Sequence, residues 1–190
     1  DPARRWPLMH SIHGGPHSAH TDGWHFRWNA HVFAGEGYVV AAVNYHGSSG
    51  FGQKFLETIT RRYGEKEFAD VEAGTDFLLR QGYIDRDRLT ATGGSYGGYM
   101  VAYMNGHTDR YRAYVCHAGC YDWVGMMATD GYLFFAKELG AFGIREHLGG
   151  LLEIEQVHDV IFDQRPAGRR LHRTLIAAIF ALHRTRDVKP

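Results

Sequence analysis

Residues 88–106 read RLTATGGSYGGYMVAYMNG, with four glycines around one serine. The β-branched content of 88–94 predicts a strand, and the apolar spacing of SYGGYMVAYMNG with its closing Gly106 predicts a helix. Ser95 falls at the join. Gly93-Gly94-Ser95-Tyr96-Gly97 is G-x-S-x-G, the pattern of a nucleophile elbow. Glycines two before and two after the serine allow a sharp turn that lifts the hydroxyl above the strand end, where side chains would collide with neighbouring backbone. A helix starting just beneath favours negative charge on the reacting group. A merely structural glycine turn is the plain alternative. A phosphate-binding loop is the other glycine-rich rival, but no Lys-Ser/Thr pair follows the last glycine.

Working outward, strands and helices alternate. LMHSIH, 8–13, and YVVAAVNY, 38–45, are apolar runs without polar alternation, as expected of buried parallel strands. FRWNAHVFAGEG between them suits a helix stopped by glycine, which makes a β-α-β unit. QKFLETITRRYG reads as a helix, and EFADVEAGTDFLLRQG places Phe68, Val71, Thr75 and Leu78 on one helical face. RAYVCHAG is a further strand. The order β, α, β, α, α, β, α, β predicts an α/β fold: an open, mostly parallel sheet with helices on both faces.

The 190 residues fit one domain, and a 44% hydrophobic content suffices for a sizeable core. Lys+Arg and Asp+Glu both number 21, so no global field attracts nucleic acid or an anionic membrane; small-molecule or peptide partners are favoured. Cys116 and Cys120 are the two cysteines, too few for a disulfide framework or a four-thiolate zinc site. No apolar run reaches transmembrane length, and the opening DPARRWPLMHSIHGG does not show the h-region followed by a cleavage site that a secretory signal would have. That opening enters a strand almost at once, which suggests a chain cut from something longer.

A second stretch fits acyl-transfer chemistry. His13-Gly14-Gly15-Pro16 follows the first strand, and a glycine pair there can turn a backbone N–H toward the elbow. With the Tyr96 N–H it would make an oxyanion hole; an ordinary turn is the alternative. His10, His13, His17, His20 and His25 cluster nearby, but their spacing mixes faces across a strand, a turn and a loop, and Asp22 is the sole acid among them. No metal and no cofactor are expected.

HGGPHSAHTDGW, NYHGSSGFGQKF, YIDRDRLTATGGSYGGYM and CHAGCYDW, in this order, resemble the catalytic domain of the prolyl oligopeptidase family of serine peptidases, nearest to its dipeptidyl-peptidase and acylaminoacyl-peptidase-like branches. The resemblance spans roughly residues 6 to 142 and is far more specific than G-x-S-x-G alone. It implies an α/β-hydrolase fold, here incomplete at both ends, and a β-propeller placed before the hydrolase domain in the full-length relatives. It implies Ser95 as the nucleophile and the N–H groups of Gly15 and Tyr96 as oxyanion donors. Trp123, with Cys120, Met126 and Tyr96, would lie where the family builds a mainly apolar pocket suited to proline or a small apolar side chain. A plain core aromatic is the alternative for Trp123. Asp85 and Arg88 match a structural turn before the nucleophile strand. His46 stands where such proteins usually carry arginine, which puts that loop's ion pairing in doubt.

The departures matter as much. A serine nucleophile needs a base and a group that orients it, in the order Ser, Asp or Glu, His. The family's H-G-x-x-D loop and late D-x-x-H segment do not occur after Ser95. Of 26 aromatic residues 24 lie in 1–142, while seven arginines fall between Arg145 and Arg186. Residues 1–142 are therefore read as a partial hydrolase domain and 143–190 as an unmatched tail with helical potential at 171–184. Asp159, Asp163, His158, His172 and His183 lie in that tail, none behind an apolar strand of the expected kind. The expectation is a serine-type peptidase by descent, without a base in this chain, with a peptide-binding remnant and an esterase of the same fold as the other readings.

Overall fold

The computed structural model describes residues 4–120, 122, 123, 126 and 136–140. Four parallel strands form one sheet in the order β2-β1-β3-β4: β1 (Trp6–Ile12), β2 (Val39–Ala41), β3 (Ile84–Gly94) and β4 (Ala113–His117). The helices are α1 (Ala30–Gly35), α2 (Gln53–Leu56, continued by a 3₁₀ turn at Glu57–Ile59), α3 (Glu65–Arg80) and α4 (Tyr96–His107). This is the alternation that the sequence predicts, and the α/β class is as expected. The 143–190 tail, the 142/143 boundary and the five tail residues named above lie outside the described residues.

Several elements are shorter than the sequence predicts: QKFLETITRRYG is helical only over Gln53–Leu56 with a 3₁₀ turn at Glu57–Ile59, RAYVCHAG is a strand only over Ala113–His117, and two others shorten for reasons that bear on the site. The 38–45 stretch pairs with β1 over Val39–Ala41 and then leaves the ladder. Its next polar groups bond to loops: Asn44 accepts from the His20 N–H (2.7 Å) and donates to the His20 carbonyl (3.1 Å), and the Tyr45 hydroxyl donates to the His13 carbonyl (2.8 Å). The apolar run thus serves the site rather than the sheet. Helix α1 starts at residue 30 because Asn29 caps it, accepting from the His31 N–H at 2.9 Å. The preceding turn closes on His25, whose Nδ1 accepts from the N–H groups of Arg27 (3.1 Å) and Trp28 (3.0 Å).

The core lies where α3 and α4 pack on the sheet. Leu8, Ile12, Leu89 and Ala91 come from the strands, Val71 from α3, and Tyr96, Tyr99, Met100 and Met104 from α4; all are buried. At about 25 cal/mol per Å² of apolar surface removed from water, this burial is the main term favouring the fold.

The strand order has a functional consequence. From β1 the chain moves to one side to form β2 and then returns to the other side of β1 to form β3. The connections diverge between β1 and β3, and in open α/β sheets the crevice beyond the carboxyl ends at such a point is where ligands bind. His13-Gly14-Gly15 and Ser95 leave the sheet at those two ends.

Candidate active site

Ser95 holds φ 57° and ψ −120°, a conformation costly for a residue with a side chain and found where surrounding contacts enforce it. Two hydrogen bonds and the close packing of the flanking glycines do so here. The Ser95 N–H donates to the His117 carbonyl at the end of β4 (2.9 Å), and the Ser95 carbonyl accepts from the Tyr99 N–H (3.0 Å) as α4 begins. The flanking glycines leave no room for relaxation: a Cβ on Gly97 would sit 2.1 Å from the Ile12 carbonyl oxygen, and one on Gly93 would sit 2.4 Å from the Gly97 oxygen. The result is an exposed serine at the head of a buried helix.

The β1 loop closes on this turn. A Cβ on Gly14 would lie 3.2 Å from Ser95 Cβ and 2.8 Å from the Gly94 oxygen, so glycine permits the approach. Gly15 has φ 127°. Among the described residues neither the Gly15 N–H nor the Tyr96 N–H donates to a backbone carbonyl; Tyr96 opens α4 and so has no intrahelical acceptor. His13 anchors the loop: its Nδ1 donates to the Gly14 carbonyl (2.8 Å), its Nε2 meets Ser48 Oγ (2.9 Å), and its ring stacks on Tyr45 at 4.2 Å. Burial holds the His13 pKa at about 4 against an ordinary 6.5, with the Gly14 bond opposing and the neighbouring His20 adding to the effect. His13 is therefore a neutral structural ring. His10 and His20 are neutral too, both lowered chiefly by burial. Among the described residues no three His, Cys, Asp or Glu side chains converge as metal ligands.

No histidine among the described residues bonds the Ser95 hydroxyl. That hydroxyl contacts the Cys120 thiol, a contact that partly offsets the upward push of burial on the thiol's pKa. Cys120 and Met126 are half-buried against the core. Trp123 is buried, its ring 5.1 Å from Tyr99, 5.5 Å from Tyr63 and 6.3 Å from Tyr96. Trp123 belongs to the same buried cluster as Tyr96, and Cys120 and Met126 pack against that cluster. Ser95 also borders a cavity of about 460 Å³, lined among others by His13, Gly14, Trp24, Arg27, Trp28 and His117.

Sequence reasoning missed the support beneath Tyr96. Glu67 is fully buried on α3, where it accepts from the Tyr96 hydroxyl and from the Gly64 N–H (3.2 Å). Burial raises its pKa, and the bond from Tyr96 pulls the other way. Glu138 is likewise buried, meeting His17 Nε2 and the Tyr63 hydroxyl, each at 3.1 Å. Nothing local in the sequence signals either carboxylate. In place of the ion pair in doubt at His46 stand two hydrogen bonds: its backbone N–H and its Nδ1 both reach Asp70 Oδ2 at 2.6 Å. Asp85 and Arg88 form the expected structural turn, paired at 2.6 Å.

Comparison with known proteins gives the same reading by an independent route. A model described as the Prolyl oligopeptidase family matches residues 24–160. Dipeptidyl-peptidase 5 of Schizosaccharomyces pombe is 37% identical over 139 residues, covering 72% of this chain and 20% of that protein. Dipeptidyl-peptidase 5 of Porphyromonas gingivalis is 38% identical over 138 residues, with the same coverages of 72% and 20%. Among solved structures, an acylaminoacyl peptidase in complex with Z-Gly-Gly-Phe-chloromethyl ketone superposes with a TM-score of 0.73 at 28% identity, over 80% of this chain and 25% of that one. The chain thus spans about a fifth of the length of the relatives it matches. A strained serine at the head of α4, the β1 loop laid against it, and a family match over most of the described fold converge: the chain belongs to the prolyl oligopeptidase family of serine peptidases.

Proposed function

We propose that Ser95 is the nucleophile of a serine-type peptidase site that acts on short peptides through an acyl-enzyme. The observation that carries this reading is the enforced positive φ of Ser95 opposite the Gly14-Gly15 loop. Ser95 Oγ adds to the scissile carbonyl, and its proton passes to a base. The oxygen that becomes negative is held by the N–H groups of Gly15 and Tyr96; donors of this kind are worth about 3–4 kcal/mol each. Collapse expels the amine, which takes up the proton, and water then cleaves the ester. Trp123, Cys120 and Met126 receive the side chain before the scissile bond. In the full-length protein a propeller domain precedes this one.

We further propose that residues 1–190 alone hydrolyse nothing measurable. The Ser95 hydroxyl faces a thiol held neutral by burial, and no imidazole reaches it among the described residues. Loss of the base in comparable triads lowers turnover by roughly a million-fold, leaving about a thousand-fold over water. The same observation supports the second reading, a peptide-binding remnant, and an esterase shares all these residues.

Two measurements test the proposal. A peptide boronate with proline next to boron should give a tetrahedral ¹¹B signal that Ser95→Ala abolishes; its absence from the unmodified chain would remove Ser95 as the nucleophile. Gly-Pro and Ala chromogenic substrates should stay intact, and a fluorophosphonate should not label the chain. Stoichiometric labelling abolished by Ser95→Ala would show that a base is present and that the silence is wrong.

A further inference from the structure

The cavity beside Ser95 has a chemistry that the acyl-transfer reading does not use. Ser95 is part of its lining, whereas Trp123, Cys120 and Met126 are not. On the reading above, those residues take the acyl side, so the part of the peptide that departs as the amine enters this cavity. Its volume, about 460 Å³, falls in the usual range for ligand pockets.

Its lining contains no carboxylate. His13 and His20 are uncharged, so Arg27 supplies the fixed positive charge. Among the described residues the Arg27 guanidinium has no hydrogen bond and no ion pair; only its backbone N–H is engaged, by His25. Guanidinium groups left in this way beside a cavity suit planar, bidentate oxyanions. Two aromatic walls complete the site. Trp28 is pinned edge-on against the His117 ring at 5.6 Å and packs so closely over Gly94 that a Cβ there would be 3.0 Å away. Trp24 forms the rim, 67% exposed and stacked near His31 at 6.2 Å. The turn that carries all three residues is fixed by His25 Nδ1, which accepts from two successive N–H groups.

We propose that this cavity recognises the free C-terminal carboxylate of a short peptide, Arg27 binding the carboxylate and Trp24 and Trp28 flanking an apolar side chain next to it. Arg27 is then a specificity-determining residue that favours substrates ending one or two residues beyond the scissile bond. The inference rests on the Ser95 reading for the direction of the peptide, but not for the existence of the anion site.

The test uses the 190-residue chain and two probes, Ala-Pro-Phe with a free carboxylate and its C-terminal amide. Binding is read from tryptophan fluorescence, since Trp24 and Trp28 line the cavity, and by calorimetry. The free acid should bind about tenfold more tightly than the amide, and added salt should shrink the difference. Arg27→Gln should abolish the preference and Arg27→Lys should retain part of it, with the circular dichroism of both unchanged. Equal affinity for acid and amide, or a preference that survives Arg27→Gln, overturns the proposal, as does failure of both peptides to bind. Boronate adduct formation at Ser95 without a carboxylate preference overturns the anion site and leaves the nucleophile standing. A carboxylate preference without the adduct supports the anion site and counts against the nucleophile.

Discussion

Ser95 shows how a single residue can be legible when its neighbours are steric necessities. G-x-S-x-G is readable because each glycine answers to a specific collision, with the Ile12 carbonyl at Gly97 and the Gly97 carbonyl at Gly93. Gly97→Ala should therefore destabilise the fold by about 3 kcal/mol, the cost of forcing a methyl into rigid backbone. Gly35→Ala is the control: it ends α1, meets nothing within 4 Å, and should lie within about 0.5 kcal/mol of the parent. Urea midpoints decide the matter, and equal midpoints for the two variants would mean that the elbow can relax. Glu67 is the opposite case. Its partner Tyr96 is 29 residues away and no local pattern links them, so the sequence is silent until α3 and α4 pack. Glu67→Ala leaves the Tyr96 hydroxyl buried without its acceptor, and a loss of about 2 kcal/mol should follow. Retention of the parent midpoint would show that the carboxylate adds nothing.

At the level of elements, β1 carries more than its apolar run announces. His10 sits 1% exposed inside it. Its Nε2 meets Thr75 Oγ1 at 2.7 Å, Thr75 meets the Tyr111 hydroxyl at 2.7 Å, and Tyr111 donates to Glu72, itself paired with Arg110. His10 Nδ1 has no partner among the described residues. Burial first, and the Arg110 charge second, hold its pKa at about 4. His13, at the end of the same strand, is also held at about 4. Between pH 6.5 and 4 the unfolded chain takes up these protons and the folded chain does not. Stability is thus full above about pH 6.5 and falls as pH drops toward 4, by about 3 kcal/mol per histidine at most. His10→Gln removes one titrating group, so its midpoint should fall less than the parent's between pH 7.5 and 4.5, whatever it costs at neutral pH. Parallel slopes for parent and variant would sink the argument. The sequence shows that 8–13 is a buried strand; that its histidines are neutral depends on α3 and the 45–48 loop, which only the tertiary structure supplies.

For the whole molecule, the alternation of elements is legible because strand and helix periods differ, whereas the edges of the sheet are not. Where β2 stops, or what lies beyond β4, depends on which backbone groups find partners elsewhere. Among the described residues β4 is an outer strand, bonded to β3 on one side and to no strand on the other. Its burial is that of an edge: Ala113, Tyr114 and Val115 are half-buried, and Cys116 and His117 are exposed. A parallel edge strand that carries apolar residues is a template for pairing with another chain wherever it is left uncovered. Nor does net charge oppose association, since the acidic and basic side chains balance at 21 each. The chain should therefore self-associate at concentrations of about 10–100 μM, visible in sedimentation velocity as a weight-average coefficient that rises with concentration under reducing conditions. Cys116→Lys places a charge on the exposed part of the strand and also removes a thiol open to oxidative coupling. It should lower association severalfold without changing the unfolding free energy from urea melts by more than about 0.5 kcal/mol. A parent chain that sediments as a monomer throughout, or a lysine variant that associates as strongly, would show that β4 is not the sticking edge.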